Sequence, residues 1–270
     1  MIITSFSNQK VKFIRKLEHK KYRQDSHQYF IEGLRTVGEA VQTGAPIEAL
    51  VVAPDLLVSE FGRSLLDHPN VHDVDRILVS PEIYEKIAHK QGPQGIGAIL
   101  RQDWHSLPGI DIQPEDVWVA LDAVADPGNL GTIMRTAEAV GSRGIILLEN
   151  STDPYDPTAV KSSMGALFSL KLVQADWDEF HAWQVRQKVH LVGTSDRAKT
   201  HYRKHPYRLP TILLMGSERH GLTDEMMKEC DAMVFIPMKG RSDSLNLAVA
   251  TGILLYEIHH QSQVSDIIEP

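Results

Sequence analysis

The chain has 270 residues, 42% of them hydrophobic and 23% charged, and a formal net charge of −7. That length accommodates one large or two modest globular domains, and the acidic balance excludes a surface that is basic all over, as a general nucleic-acid coat would be. No apolar run reaches the roughly 18 to 20 residues that cross a bilayer, MIITSFSNQK is too polar for a secretory leader, and with Cys230 the only cysteine neither an internal disulfide nor a cysteine zinc cluster can form. A cytoplasmic protein is expected.

Val11, Ile14 and Leu17 recur at helical spacing and predict the first helix. Around them stand Lys10, Lys12, Arg15, Lys16, Lys20, Lys21 and Arg23, with Glu18 the one acid between residues 10 and 23. A cationic segment in an otherwise acidic chain is where a polyanion would dock, although a solvated helix face carries the same charges. QYFIEG (28–33) reads as a strand and 36–41 as a helix closed by Gly44 ahead of Pro46. ALVVAP (49–54), RILVS (76–80) and IGAIL (96–100) read as strands, and SPEIYEKIA (80–88) as a helix capped by Ser80 with Pro81 in its first position. Residues 101–116 carry Pro108, Gly109 and Pro114 among polar side chains and are the expected linker between a domain at 1–100 and a second at 117–270.

From residue 117 strands and helices alternate regularly. VWVALDAV (117–124), GIILLE (144–149), LKLV (170–173), VHLVG (189–193), TILLM (211–215) and MVFIP (233–237) are the strands. Helices are expected at 129–140, 157–168, 176–187 and 223–229, and in a last apolar helix with Leu245, Ala248, Val249, Gly252, Ile253 and Tyr256 on one face. Apolar strands alternating with helices predict an α/β fold with a mostly parallel sheet covered on both sides.

Neither the glycine fingerprint of a dinucleotide fold nor a Walker loop is present; GPQGIGAIL (92–100) has the glycines without the strand–turn–helix context. Three other segments fall at strand ends, where open α/β sheets collect their ligands. In DPGNLGTIMRTAEAVG (126–141) a turn leads to Asn129, a candidate helix cap, and on to Arg135 among apolar neighbours. In LLMGSERHGL (213–222) a strand ends at Gly216, with Glu218 following and a glycine able to let backbone approach a ligand. In IPMKGRSDSLNLAVATGILLYE (236–257) a polar loop precedes a long helix, with Ser244 its candidate cap and Asn246 free to face the same cleft. Each segment alone reads as ordinary local structure: a snorkelling arginine, a strand-to-helix turn, a capped core helix.

Taken together they resemble the three motifs of the SpoU/TrmH family of SPOUT methyltransferases: N-L-G-x-x-x-R, G-S-E-x-x-G-L and I-P-M-x-G-x-x-x-S-L-N with a late Y-E. KSSMGALF (161–168) is similar to a further family segment. The resemblance covers about 117–260, and NQKVKFIRKL, YFIEGLR and HKQGPQGIGAIL are similar, less specifically, to the family's N-terminal substrate-binding domain, which has a ribosomal-protein-like fold.

The resemblance implies a trefoil-knotted C-terminal domain, a homodimer formed through it, and S-adenosyl-L-methionine held by Thr194, Gly216, Ile236, Met238 and Leu245. It implies transfer of a methyl group to a ribose 2′-hydroxyl of structured RNA, with Arg135 as the catalytic arginine and Asn129, Glu218, Ser244 and Asn246 positioning it and the ribose. Whether Arg135 acts as base is open: a guanidinium stays protonated above about pH 12, and it suits a phosphate clamp or stabilisation of a developing alkoxide equally well. Lys10, Lys12, Arg15, Lys16, Lys20, Lys21 and Arg23 are the expected RNA contacts. Ribosomal RNA is the favoured substrate, with transfer RNA, or a non-catalytic RNA-binding protein of the same fold, as alternatives. No metal and no membrane partner is expected.

Overall fold

The computed structural model describes residues 1–88, 92–241 and 244–268, the last five as backbone. His89, Lys90 and Gln91 of HKQGPQGIGAIL, and Ser242 and Asp243 of the third motif, lie outside the described residues. The chain forms two compact units, Met1–Asp103 with Asp153–Ser169, and Trp104–Thr152 with Leu170–Pro270.

In the smaller unit α1 (Gln9–Lys16) starts at Asn8, whose side chain accepts from the Lys10 amide. Its apolar stripe buries Val11 and Ile14, with Leu17 just beyond, and leaves the lysines in solvent. Then follow α2 (Lys20–Ser26), β1 (Gln28–Glu32), α3 (Leu34–Gln42), β2 (Ile47–Val52), α4 (Glu60–Leu66), β3 (Asp75–Leu78), α5 (Pro81–Ile87) and β4 (Ile96–Arg101). The sheet order is β1-β4-β2-β3, with β4 antiparallel to both its neighbours and β2 parallel to β3. Ser80 caps α5 and Pro81 opens it, as its sequence predicts. α4 was not expected, because Phe61 and Gly62 interrupt its helical pattern; Ser59 caps it through the Gly62 amide.

The larger unit holds β5 (Trp104–His105), β6 (Val117–Asp122), α6 (Pro127–Ala139) and β7 (Gly144–Leu148). The chain then contributes α7 (Pro157–Ser163) to the smaller unit. It resumes the larger one with β8 (Lys171–Ala175), α8 (Trp177–Gln187), β9 (His190–Thr194), β10 (Thr200–His201), β11 (Thr211–Met215), α9 (Asp224–Glu229), β12 (Ala232–Phe235) and α10 (Leu247–Ile268). Its eight strands lie in the order β10-β12-β9-β11-β6-β7-β8-β5, every neighbouring pair parallel. Trp118, Ile146, Val173, Phe180, Trp183, Leu191 and Ile212 pack its core. The central strands β6, β7 and β11 are buried almost along their length, as a sheet covered on both faces requires.

Two expectations about organisation change. Residues 104–116 are part of the larger unit and not a loose tether: Trp104–His105 pairs with β8, and Leu107 and Ile110 are buried in that core. Residues 153–169 group with the smaller unit, which composition could not reveal because the contacts run far along the sequence. The helix expected over 157–168 stops at Ser163, since Met164 (φ 54°) and Gly165 (φ 102°) take left-handed conformations before a short 3-10 turn at Ala166–Phe168.

Candidate active site

β12, β9 and β11 are neighbours in the sheet and end at Phe235, Thr194 and Met215, so three loops leave the same carboxyl edge together. With the first turns of α10 they enclose a cavity of about 660 Å³. Its walls are apolar where Met215, Leu222, Val234, Leu247 and Leu254 meet, and its mouth is polar.

The β11 loop is shaped by its own backbone. A Cβ on Gly216 would stand 2.1 Å from the Gly221 carbonyl carbon and 2.3 Å from the Leu222 nitrogen. Residues 217–221 close a tight turn in which the Gly221 amide donates to the Ser217 carbonyl at 3.0 Å, with Gly221 at φ +66°. The glycine expected at Gly216 for approach to a ligand is therefore already demanded by this turn.

Beyond β6, Asp126 caps α6, accepting from the Asn129 amide at 2.7 Å, and Pro127 opens it. Asn129 is thus not the cap expected of it but sits in the first turn with its side chain free to bridge. Its Nδ2 donates to Glu218 Oε1 at 3.2 Å and its Oδ1 accepts from Asn246 Nδ2 at 2.9 Å. Glu218 also accepts from the backbone amides of Ala125 at 3.2 Å and Asp126 at 3.4 Å. Partial burial favours its neutral form, but its own backbone amide, the Asn129 amide and the Ala125 and Asp126 amides outweigh that and lower its pKa. Glu218 is therefore an anchored carboxylate near neutral pH.

Asn246 rather than Ser244 caps α10, its Oδ1 accepting from the Ala248 amide at 2.9 Å and the Val249 amide at 3.3 Å. One asparagine thus starts the last helix and ties it to the first motif. Ser244 lines the cavity without that role.

The structure gathers Asn129, Glu218, Ser244 and Asn246 with Thr194, Gly216, Ile236, Met238 and Leu245 around one cavity. It does not bring Arg135 to it. Arg135 lies six residues, or about 9 Å of helix rise, beyond Asn129 on α6, exposed and without a hydrogen bond or ion pair among the described residues. The sequence reading missed Ser195, Asp196 and Arg197 after β9, and Arg219 and His220 in the β11 loop, all of which line the cavity. The polar run after VHLVG was the available signal.

Lys10, Lys12, Arg15, Lys16, Lys20 and Lys21 are exposed on α1 and α2. Arg23 is a correction: it is 1% exposed. Its Nε donates to Asp153 Oδ2 at 2.8 Å, its Nη2 to Asp156 Oδ2 at 3.3 Å, and its Nη1 to the carbonyls of Leu17 at 3.0 Å and Glu18 at 2.7 Å. A desolvated guanidinium needs such a full set of acceptors, so none is left for phosphate.

A family model described as the SpoU rRNA Methylase family matches residues 116–256, and one described as an MRM3-like substrate binding domain matches residues 8–98. The chain belongs to the SpoU rRNA methylase family. It is 30% identical to the 23S rRNA (uridine(2479)-2′-O)-methyltransferase of Streptomyces viridochromogenes, over 91% of this chain and 87% of that protein. To the 23S rRNA (guanosine(2553)-2′-O)-methyltransferase of Bacillus subtilis it is 27% identical, over 95% and 98%. The crystal structure of AdoMet-bound rRNA methyltransferase from Sinorhizobium meliloti superposes with a TM-score of 0.88 at 37% identity, covering 96% of this chain and 97% of that one. Among the described residues no helix is long and apolar enough to cross a membrane.

Proposed function

We propose that the chain is a cytoplasmic RNA methyltransferase that moves a methyl group from S-adenosyl-L-methionine to a ribose 2′-hydroxyl of ribosomal RNA, working as a homodimer. The observation that carries this reading is the cavity at the carboxyl edge of three parallel strands with the Asn129–Glu218–Asn246 network on its rim. Its volume lies in the range of small-molecule sites. Its apolar walls suit a purine and a thioether-like chain, and the backbone at Gly216 and Ile236, past the last strand residues, supplies polar groups for the adenosine edges and ribose. Thr194, Gly216, Ile236, Met238 and Leu245 would hold the cofactor.

When bound, S-adenosyl-L-methionine supplies an electrophilic methyl group on a sulfonium, so the protein's work is alignment and the handling of one proton. Asn246, Asn129 and Glu218 fix the rim as one unit, and Ser244 adds a hydroxyl beside it. Arg135 is exposed and has no hydrogen bond or ion pair among the described residues, so its guanidinium is available to grip the phosphate next to the reacting ribose. Lys10, Lys12, Arg15, Lys16, Lys20 and Lys21 supply sequence-independent phosphate contacts. The named relatives carry different target nucleotides, a uridine and a guanosine, and both are ribosomal, which favours ribosomal over transfer RNA. α10 leaves Val249 51% and Tyr256 55% exposed; a second copy covering them accounts for apolar side chains in solvent on the last helix. The trefoil knot implied by the motifs belongs to this same proposal.

The test supplies labelled S-adenosyl-L-methionine and ribosomal RNA. Label should enter ribose 2′-oxygens with the wild-type chain. With Arg135→Ala it should fall to background while calorimetry still shows cofactor binding. Unlabelled RNA with the wild-type chain overturns the activity, and undiminished turnover by Arg135→Ala overturns the arginine's role.

A further inference from the structure

Every other tyrosine of the smaller unit is inside it: Tyr29, Tyr84 and Tyr155 are 2%, 0% and 2% exposed. Tyr22 is 38% exposed, in the first turn of α2. An aromatic ring more than a third exposed forgoes part of the burial that normally stabilises it. Lys16 Nζ stands 5.1 Å from the ring centroid, and the His19 ring lies 6.4 Å away, tilted at 49°. Lys20 and Lys21 precede it, both exposed. The acids of this segment, Glu18 and Asp25, are outnumbered.

The backbone that carries the ring is held firmly. The Tyr22 amide donates to the His19 carbonyl at 3.0 Å and the Tyr22 carbonyl accepts from Ser26 Oγ at 2.7 Å. The next residue is Arg23, whose guanidinium is bound to two carboxylates and to the carbonyls of Leu17 and Glu18. That buried cation fixes the end of α1 against the start of α2. The backbone that carries the exposed ring and its cations is thus preset, which reduces what a ligand must order.

An exposed aromatic face among phosphate-binding cations is the combination that takes single-stranded nucleic acid: the cations follow the backbone and the ring stacks on a base. A duplex offers such a ring no base face, because its bases are already stacked and the A-form grooves expose only edges and hydroxyls. We propose that Tyr22 is a stacking platform for an unpaired base of the RNA, so that α1 and α2 select a loop, bulge or opened strand over continuous duplex. This rests on the reading that the basic segment docks RNA.

The experiment uses the full chain with two probes, a single-stranded RNA carrying 2-aminopurine in place of adenine and a fully paired RNA duplex. The wild-type chain should bind the single strand more tightly and quench the 2-aminopurine emission. Tyr22→Ala should lose the quenching and weaken single-strand binding about tenfold, with the duplex affinity and the salt slope unchanged; Tyr22→Phe should keep both quenching and affinity. Lys16→Ala with Lys20→Ala should flatten the salt dependence for both probes and keep the quenching. If Tyr22→Ala binds and quenches the single strand like wild type, or loses both probes equally, the platform is overturned and the docking segment stands. If the wild-type chain binds neither probe, the docking reading falls, and the platform with it.

Discussion

Asn246 donates its side-chain amide to the Asn129 carbonyl oxygen at 2.9 Å, joining residues 117 positions apart. The other end of that side chain, Asn246 Oδ1, caps α10, and Asn129 Nδ2 donates to Glu218. Three segments that read separately as a cap, a turn and a helix start are therefore one hydrogen-bonded chain.

The two duties of Asn246 separate by substitution. Asn246→Ala removes both and should cost about 1 kcal/mol of stability through the lost cap. Asn246→Asp keeps an equally good cap but turns the donor facing Asn129 into an acceptor. It should melt within a few degrees of wild type and lose most methyl transfer. Thermal melts and label incorporation on the same preparations check this; full turnover by Asn246→Asp would show that the bridge is dispensable.

Glu218 links this network to pH. Its folded pKa is lowered, so its contribution to stability is present above the ordinary glutamate pKa and is lost as the pH falls through the folded value. Wild type should be more stable than Glu218→Gln near neutrality, by a modest amount because the group is exposed, and the gap should close in acid. Urea melts at a series of pH values measure it. The pH–rate profile should show no inflection from Glu218 near neutrality.

Two glycines of similar sequence context should behave oppositely. Gly216→Ala forces a Cβ into the backbone of residues 221 and 222, so the turn must open, and stability should fall by about 1–3 kcal/mol with cofactor affinity lost. Gly240→Ala places its Cβ in open space and should leave both unchanged. Calorimetric titration and denaturant melts distinguish them.

Arg23 and the lysines beside it should also part. Arg23→Ala strands two carboxylates, one of them buried, and should cost about 3–5 kcal/mol. Arg23→Lys cannot reproduce the fork of contacts and should recover only part of that. Lys20→Ala should leave stability within about 0.5 kcal/mol and reduce the salt dependence of RNA binding. Denaturant midpoints and binding isotherms at several salt concentrations provide the comparison.

The parallel sheet was legible because its central strands are buried and read as apolar runs, TILLM (211–215) the clearest of them. The motif residues at strand ends were legible as a set, and all but Arg135 lie on one cavity. What was hidden depends on tertiary partners. Arg23 has the same one-dimensional surroundings as Lys20, and only Asp153 and Asp156 reveal that it is internal. Ser244 and Asn246 are both sound caps by residue type; the choice falls to Asn246 because its other end also finds Asn129. The two-residue strand β5 is too short to show a period, and it shows itself only in its pairing with β8.

The pairing of Arg23 with Asp153 spans 130 positions. During synthesis the N-terminal end emerges first, and its guanidinium must remain hydrated until all of β6, α6 and β7 has also left the ribosome. The smaller unit is thus begun early and completed late, its construction bracketing that of the first part of its neighbour. A fragment cut after Asp103 would contain the whole of the smaller sheet and yet lack the anions that let its buried arginine go dry.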